Sequence, residues 1–312
     1  MSDDRVRIGV VGGLNMDIHL FGVEEPGVGA TYLADHYLIE PGGKGANQAR
    51  AAARLGADVV LVGRVGDDEF GHLCVAAVEA DGVDVGGVAV TAGERTGFVV
   101  IRLVEGHHVS LVFSPGANNH LVWSDVEAAL PRLADRDVLL TQGEVPADVV
   151  DRLLTWASGR GIPVYLDPAS PDQLALSALQ RAEIITPDRE EAAALTGRTL
   201  STPAAPWLAA RELVDLGVER AVVKLGAAGA LLVDTTSGTR HVPTASVRPV
   251  DETGAGDVFI AALAVRRASG AGWPEAVRFA NAAAARSVSE RGLALPTLPE
   301  VLELEATIPG AA

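Results

Sequence analysis

Val6-Arg7-Ile8-Gly9-Val10-Val11-Gly12-Gly13 is a nearly unbroken apolar run closed by two glycines. A strand buried on both faces reads this way, because polar alternation disappears when both sides of the pleat meet helices. Similar runs recur at residues 59–62, 138–140, 164–166, 184–185 and 221–223. Alanine-rich segments with helical periodicity separate them, at 45–55, 69–79, 147–158, 189–195 and 206–216. Strand alternating with helix predicts an α/β fold, a three-layer sandwich in which a mainly parallel central sheet is flanked by helices.

Two regions break that rhythm. Residues 18–21 and 31–39 read as short strands without an intervening helix. Residues 98–104 and 109–113 read as a hairpin around Glu105-Gly106-His107. These segments, within about 15–40 and 96–114, are expected to form a small β-sheet lid inserted in one α/β domain covering 1–312. The last third reads as helical at 255–268, 274–288 and near 299–304.

Hydrophobic residues make up 48% of the 312 and charged residues 21%, enough for a globular core. The length slightly exceeds the roughly 250–300 residues at which single cores stop growing, so one large domain with an appendage is expected. The 25 basic and 41 acidic residues leave a net charge of −16, which argues against a nucleic-acid partner. Any phosphate site must then be local, built from backbone N–H groups, metal ions and a few cations. The single cysteine, Cys74, sits in an apolar run and reads as core; no disulfide framework is open to one chain. Met1-Ser2-Asp3-Asp4-Arg5 is charged and leads straight into a strand pattern, unlike a signal peptide. No apolar stretch approaches the roughly 18–20 residues of a membrane span. A cytoplasmic protein with no membrane partner is expected.

Asp251-Glu252-Thr253-Gly254-Ala255-Gly256-Asp257-Val258-Phe259 follows a strand-like run and opens a long alanine-rich helix. Its glycines permit tight turning and close ligand approach. The first amides of the helix lack intrahelical partners and, with the dipole, attract an anion. Asp257 in the first turn is either a cap or a base beside that anion. A dinucleotide fingerprint fails, because Phe259 stands where a third glycine belongs. Phosphoryl transfer suits the segment better.

Pro41-Gly42-Gly43-Lys44-Gly45-Ala46-Asn47-Gln48-Ala49 stands at another helix start and is not a P-loop, since Gly45 replaces Ser/Thr after the lysine. Either Lys44 and Asn47 hydrogen-bond a polyol, or this is a glycine-rich turn with a solvated lysine. Gly12-Gly13-Leu14-Asn15-Met16-Asp17 ends the first strand, on the edge where open α/β sheets bind ligands. Asn15 and Asp17 point the same way if extended; otherwise they are turn residues.

Gly42–Ala49 and Asp251–Asp257 together resemble the two signatures of the ribokinase-like carbohydrate kinase family, of phosphofructokinase-B type. The order and spacing of segments fit from about Arg5 to Leu298. Within the family, Gly-Gly-Lys-Gly-Ala-Asn-Gln-Ala and Ser114-Pro115-Gly116-Ala117-Asn118 are most similar to the ribokinase branch. The resemblance implies Asp257 as catalytic base, with Gly254, Ala255 and Gly256 forming the amide hole. It implies sugar contacts from Asn15, Asp17, Gly42, Gly43, Lys44, Asn47 and Glu144. Read by itself, Glu144 is equally an exposed loop acid.

The family's Asn-x-x-Glu motif corresponds to Asp188-Arg189-Glu190-Glu191, so Asp188 replaces an asparagine while Glu191 matches and would act on magnesium through water. Lys224, Gly226 and Gly229 match the nucleotide side, where the family often has Thr or Ser at position 224. A lysine there offsets the added charge of Asp188. Asn281 matches the adenine pocket or is a helix-surface residue. Asp251, with the carbonyls of Thr253, Val288 and Gly292, matches a monovalent-cation site, although Glu252 stands where the family has Thr.

The resemblance therefore implies ATP and Mg²⁺, with K⁺ as activator, and a homodimer joined through the lid. The expected reaction is phosphorylation of the primary hydroxyl of a pentose, D-ribose giving ribose 5-phosphate. Alternatives are a fructose-like or deoxy/keto sugar, a nucleoside, or a sugar sensor without turnover. A nicotinamide-dependent oxidoreductase shares the strand–helix alternation and is the alternative of another class.

Overall fold

The computed structural model describes residues 5–23, 31–104, 107–169, 173–199, 202 and 204–310. Met1–Asp4 and the hairpin tip Glu105-Gly106 lie outside the described residues, as does part of the segment joining the first two lid strands.

The opening run becomes β1 (Arg7–Val11), inside a nine-stranded sheet. On one side lie β4 (Asp58–Gly66) and β5 (Asp84–Thr91). On the other lie β8 (Val138–Gln142), β9 (Val164–Asp167), β10 (Ile184–Ile185), β11 (Arg220–Lys224), β12 (Ala230–Asp234) and β13 (Gly238–Val242). Pairing is parallel from β5 to β11 and antiparallel from β11 to β13. Ile8 and Val10 face one helical layer, built from α1 (Lys44–Arg54), α2 (Glu69–Ala80), α8 (Ala255–Ala268), α9 (Trp273–Ser287) and α10 (Leu298–Glu305). Val11 faces the other, built from α3 (Trp123–Leu133), α4 (Ala147–Ser158), α5 (Leu176–Arg181), α6 (Arg189–Thr196) and α7 (Ala205–Asp215). This double cover is why β1 shows no polar alternation. Each fully buried Leu or Ile adds roughly 1.5–3 kcal/mol. Cys74 is fully buried, as expected for a core residue.

The segments expected to form the lid make a separate sheet of order β3-β2-β6-β7, from β2 (Asn15–Phe21), β3 (His36–Gly42), β6 (Gly97–Val104) and β7 (His107–Ser114). Its second strand corrects the expectation of 31–39, because pairing with β2 begins at His36 and continues through Pro41 to Gly42. A proline is tolerated there because β3 is an edge strand. The first lid strand also starts earlier, at Asn15, so Asn15 and Asp17 are strand residues and not turn residues. The strand-like run expected before Asp251 does not appear, because residues 243–250 form no strand. Asp68 caps α2 by accepting from Gly71 N at 2.9 Å and also accepts from Thr96 N at 3.0 Å, tying the helix to the start of β6.

Candidate active site

Gln142, Asp167 and Lys224, at the carboxyl ends of β8, β9 and β11, reach the start of α8 directly or through α1. Gly254 ends the approach to this helix with φ 71°, a left-handed value that favours glycine. Asp257 follows in the first turn, 4% exposed, beside the part-exposed Gly254, Ala255 and Gly256. It therefore stands at an open helix mouth. Asn47 Nδ2 donates to its Oδ2 at 3.0 Å, and Gln48 Nε2 to its Oδ1 at 3.1 Å. Gln142 Nε2 donates to Gln48 Oε1 at 2.6 Å, so a chain of amides from β8 and α1 aims the carboxylate. Lys44 Nζ lies 3.9 Å from Asp257 Oδ1. Burial pushes the Asp257 carboxyl above its ordinary range, opposed by Lys44.

Asp167, at the end of β9, is a residue that sequence reasoning missed. It is fully buried; Lys44 Nζ donates to it at 3.2 Å and Lys224 Nζ lies 4.0 Å away. Burial alone would raise its pKa, but the two ammonium groups hold it below the ordinary value. It gathers both lysines at the helix mouth: a Cβ on Gly256 would lie 3.1 Å from Lys224 Nζ. One acid closing an apolar run carries no motif; its place at a strand's carboxyl end was the available signal.

On the lid side, Asn15 and Asp17 share one face of β2, and Gly42 pairs with Asn15. Gly43 has φ 90°, and a Cβ there would lie 2.6 Å from Asn15 N, so only glycine lets the α1 start approach so closely. Asn118 Oδ1 accepts from Leu14 N at 3.0 Å while its Nδ2 donates to Asn15 Oδ1 at 2.8 Å, orienting the Asn15 amide. Among the described residues, four buried atoms here have no hydrogen-bond partner: Asn15 Nδ2, Asp17 Oδ1, Asn47 Oδ1 and Glu144 Oε2. Leaving a buried polar atom unsatisfied costs about 1–3 kcal/mol, a cost that a ligand rich in hydroxyls would relieve. Burial, then Glu144, Glu40 and Asp257, raise the pKa of Asp17.

Burial pushes Glu144 up to about 7, although Lys44 and its backbone amide oppose the shift. The unfolded carboxyl ionises near 4.5 while the folded one keeps its proton to about 7. The folded state thus holds more protons in that window, and this contribution is full below pH 4.5 and lost as pH rises through 7. Glu144→Gln should accordingly gain stability relative to wild type as pH rises, by up to about 3 kcal/mol. Denaturant unfolding of both proteins from pH 5 to 8 measures this; a constant difference contradicts it.

Where the resemblance puts the nucleotide, Asp188 Oδ1 accepts from Glu191 N and Glu191 Oε2 from Asp188 N, both at 2.7 Å. The two acids thus form a reciprocal cap on α6. Burial raises Glu191 to about 7 against the pull of Lys224. Thr186 Oγ1, just before this cap, is buried and without a partner among the described residues, a second site candidate that the sequence did not flag. Gly226 opens a short turn after β11, and Gly229 closes it with φ 85°. Asn281 spends its Nδ2 on Val242 O and Pro243 O, at 3.0 and 3.1 Å, so it shapes a wall and does not present its amide nitrogen. Among the described residues no group of three or more His, Cys, Asp or Glu is arranged to hold a metal.

Asp251 is fully buried, accepting from Thr253 N at 2.9 Å and Gly292 N at 3.0 Å. Val288 O accepts from Val250 N and Asp251 N nearby. Among the described residues no side-chain cation pairs with Asp251.

The pfkB family carbohydrate kinase model matches residues 7–300 of the chain. The chain belongs to the pfkB family of carbohydrate kinases. The kinase is 36% identical over 302 residues to a ribokinase of Bacillus subtilis, covering 96% of this chain and 99% of that protein. It is 34% identical over 304 residues to a ribokinase of Haemophilus influenzae, covering 96% and 98%. The structure of Arabidopsis thaliana ribokinase complexed with ribose and ATP superposes with a TM-score of 0.85 at 31% identity, covering 96% of this chain and 99% of that one. The kinase is thus an ATP-dependent phosphotransferase with an alcohol group as acceptor, and the oxidoreductase reading falls.

Proposed function

We propose that the kinase transfers the γ-phosphate of ATP to the primary hydroxyl of D-ribose, giving ribose 5-phosphate. The carrying observation is the set of four unsatisfied buried atoms on Asn15, Asp17, Asn47 and Glu144, next to a carboxylate at a glycine-lined helix mouth. The ribokinase relatives support the choice of sugar.

Asp257 accepts the hydroxyl proton as the oxygen attacks in line, and the amides of Gly254–Gly256 hold the moving phosphoryl group. Lys44 and Lys224 offset charge at that mouth. The lid excludes water, a competing acceptor. Magnesium ordinarily takes one or two carboxylates plus phosphate oxygens, which fits Asp188 and Glu191 without a larger acid cluster. When bound, it would neutralise charge between the β- and γ-phosphates. A monovalent cation, potassium by resemblance, fits beside Asp251 with the carbonyls of Thr253, Val288 and Gly292, since that buried carboxylate has no paired cation among the described residues.

The lid's outer face supports a homodimer. Tyr37, Ile39, Ile18, Leu20, Val100 and Val112 share that face by register, and Tyr37 and Val112 are 70% and 62% exposed. Such a sheet face usually needs cover. No described helix is long and apolar enough to cross a membrane.

The deciding experiment compares ATP-dependent turnover on ribose, 2-deoxyribose, fructose and adenosine, in potassium and in sodium buffer. The highest kcat/KM is expected on ribose with potassium. Preference for adenosine would favour a nucleoside kinase, in which Phe113, 41% exposed on β7, offers a stacking ring. Equal rates in the two buffers would remove the cation site, and no turnover on any acceptor would leave a sensor. Sedimentation at 32.2 kDa instead of twice that mass would remove the dimer.

A further inference from the structure

Three successive residues of the loop after α9 are met by three alternate residues of lid strand β3. Arg291 Nη1 lies 3.5 Å from His36 Nε2. A Cβ on Gly292 would lie 3.0 Å from Leu38 Cδ2 and 2.6 Å from Glu40 Oε1. Leu293 N donates to Glu40 Oε1 at 2.9 Å. Positions 36, 38 and 40 share one face of the strand, the face that carries Asp17, the register partner of Glu40. His19, fully buried on β2, places Nε2 3.2 Å from Glu40 Oε1, a close approach without hydrogen-bond geometry.

The same loop reaches the phosphoryl site. Gly292 N donates to Asp251 Oδ2 at 3.0 Å. Leu293 Cδ1 fills the space beside Gly254 that any side chain there would enter. Two adjacent amides are therefore held by carboxylates of different parts of the molecule, Gly292 by the body and Leu293 by the lid. Leu293, Ala294 and Leu295 also border a half-open cleft of ≈350 Å³.

We propose that Glu40 is a positioning residue that couples the seating of the lid to the geometry of the amide hole. A sugar gripped by Asp17 seats β3, Glu40 then fixes Leu293, and Leu293 fixes Gly254 at the start of α8. The proposal deepens the sugar-kinase reading and rests on it. A misplacement of about 1 Å in such a site can cost on the order of 10²-fold in rate.

The test compares the full-length wild type with Glu40→Ala, Glu40→Asp and Glu40→Gln. Glutamine keeps an oxygen for Leu293 N, whereas alanine and the shorter aspartate do not reach it. Glu40→Ala and Glu40→Asp should lose about 10–100-fold in kcat, with the KM for ribose within about threefold; Glu40→Gln should restore most of the rate. Ribose should slow amide exchange across 288–295 in wild type and Glu40→Gln, but not in the other two; where alanine fails to fold, aspartate carries the comparison. Wild-type kcat in Glu40→Asp, equal impairment of Glu40→Gln, or equal ribose protection in all four overturns the coupling. If the wild type phosphorylates no sugar, the kinase reading itself fails, and exchange without ligand decides the contact. Faster exchange at 288–295 in Glu40→Asp than in wild type then supports it, and equal exchange overturns it.

Discussion

Asp257→Asn should lower kcat on the sugar by about 10²–10⁴-fold while leaving the sugar KM within about threefold. The substitution keeps the side chain's shape but removes the only part of it that accepts a proton. One of the two donors that meet it, Asn47 Nδ2 or Gln48 Nε2, then faces another amide N–H. Losing one such bond costs about 1 kcal/mol, set against the relief of no longer burying a charge whose ionisation burial already opposes. The fold should therefore survive with little change in Tm. In the wild type kcat/KM should fall as pH drops, because only the ionised carboxylate accepts a proton and burial has raised its pKa. That acid limb should shrink in the variant. Wild-type kcat in Asp257→Asn would remove the base assignment and the mechanism with it.

Lys224→Thr should raise the KM for ATP by about 10–100-fold, the equivalent of one lost charge-assisted hydrogen bond, with sugar KM unchanged. Its ammonium lies against Gly256 at the helix mouth. Removing it leaves Asp167 still bonded to Lys44 at 3.2 Å, so no buried carboxylate is stranded. Glu191 loses the cation that most opposes its raised pKa and should hold its proton to still higher pH. Asp188 adds negative charge nearby, and asparagine caps a helix as well as aspartate. Adding Asp188→Asn to Lys224→Thr should recover much of the ATP affinity without disturbing α6. Steady-state kinetics at varied ATP measures both steps. An unchanged ATP KM in Lys224→Thr would mean that the lysine serves only to pair with Asp167.

Much of the architecture was legible because its causes are local. Runs such as Val6–Val11 and 138–140 state in their own composition that both faces are covered, and the alanine-rich segments between them carry helical spacing. Boundaries failed where pairing decides them. The second lid strand was placed at 31–39, yet it starts at His36 because that is where β2 offers partners. Asn15 and Asp17 were ambiguous between strand and turn for the same reason.

Within the candidate site, the glycine-rich helix mouth and its Asp257 could be read from residues 251–259, since a helix start and its unpaired amides are defined by a few consecutive positions. Asn15, Asp17 and Asn47 were candidates for holding hydroxyls from their local sequence, Glu144 entered only through the resemblance, and the fold gathers the four with buried atoms left unsatisfied among the described residues. Asp167 and Glu40 escaped notice because each has meaning only through partners 57 to 253 residues away, and Thr186 because distant strands set its place. Asp167 meets Lys44 and Lys224, Thr186 lies beyond β10 next to a strand formed at 220–224, and Glu40 meets Leu293. Asp188 and Glu191 likewise turned out to bond each other, which the four-residue motif alone does not disclose.

By itself, the sequence determined the strand–helix order, the anion-seeking mouth of α8 and the acid beside it, because backbone geometry and periodicity act over one or two turns. Only the tertiary structure decided which charges share a burial site, which polar atoms are left for a ligand, and which carboxylate ties the lid to the loop at 291–293. Those outcomes depend on which distant segments meet in a low-dielectric interior, where a few ångströms decide whether a charge is paired or stranded.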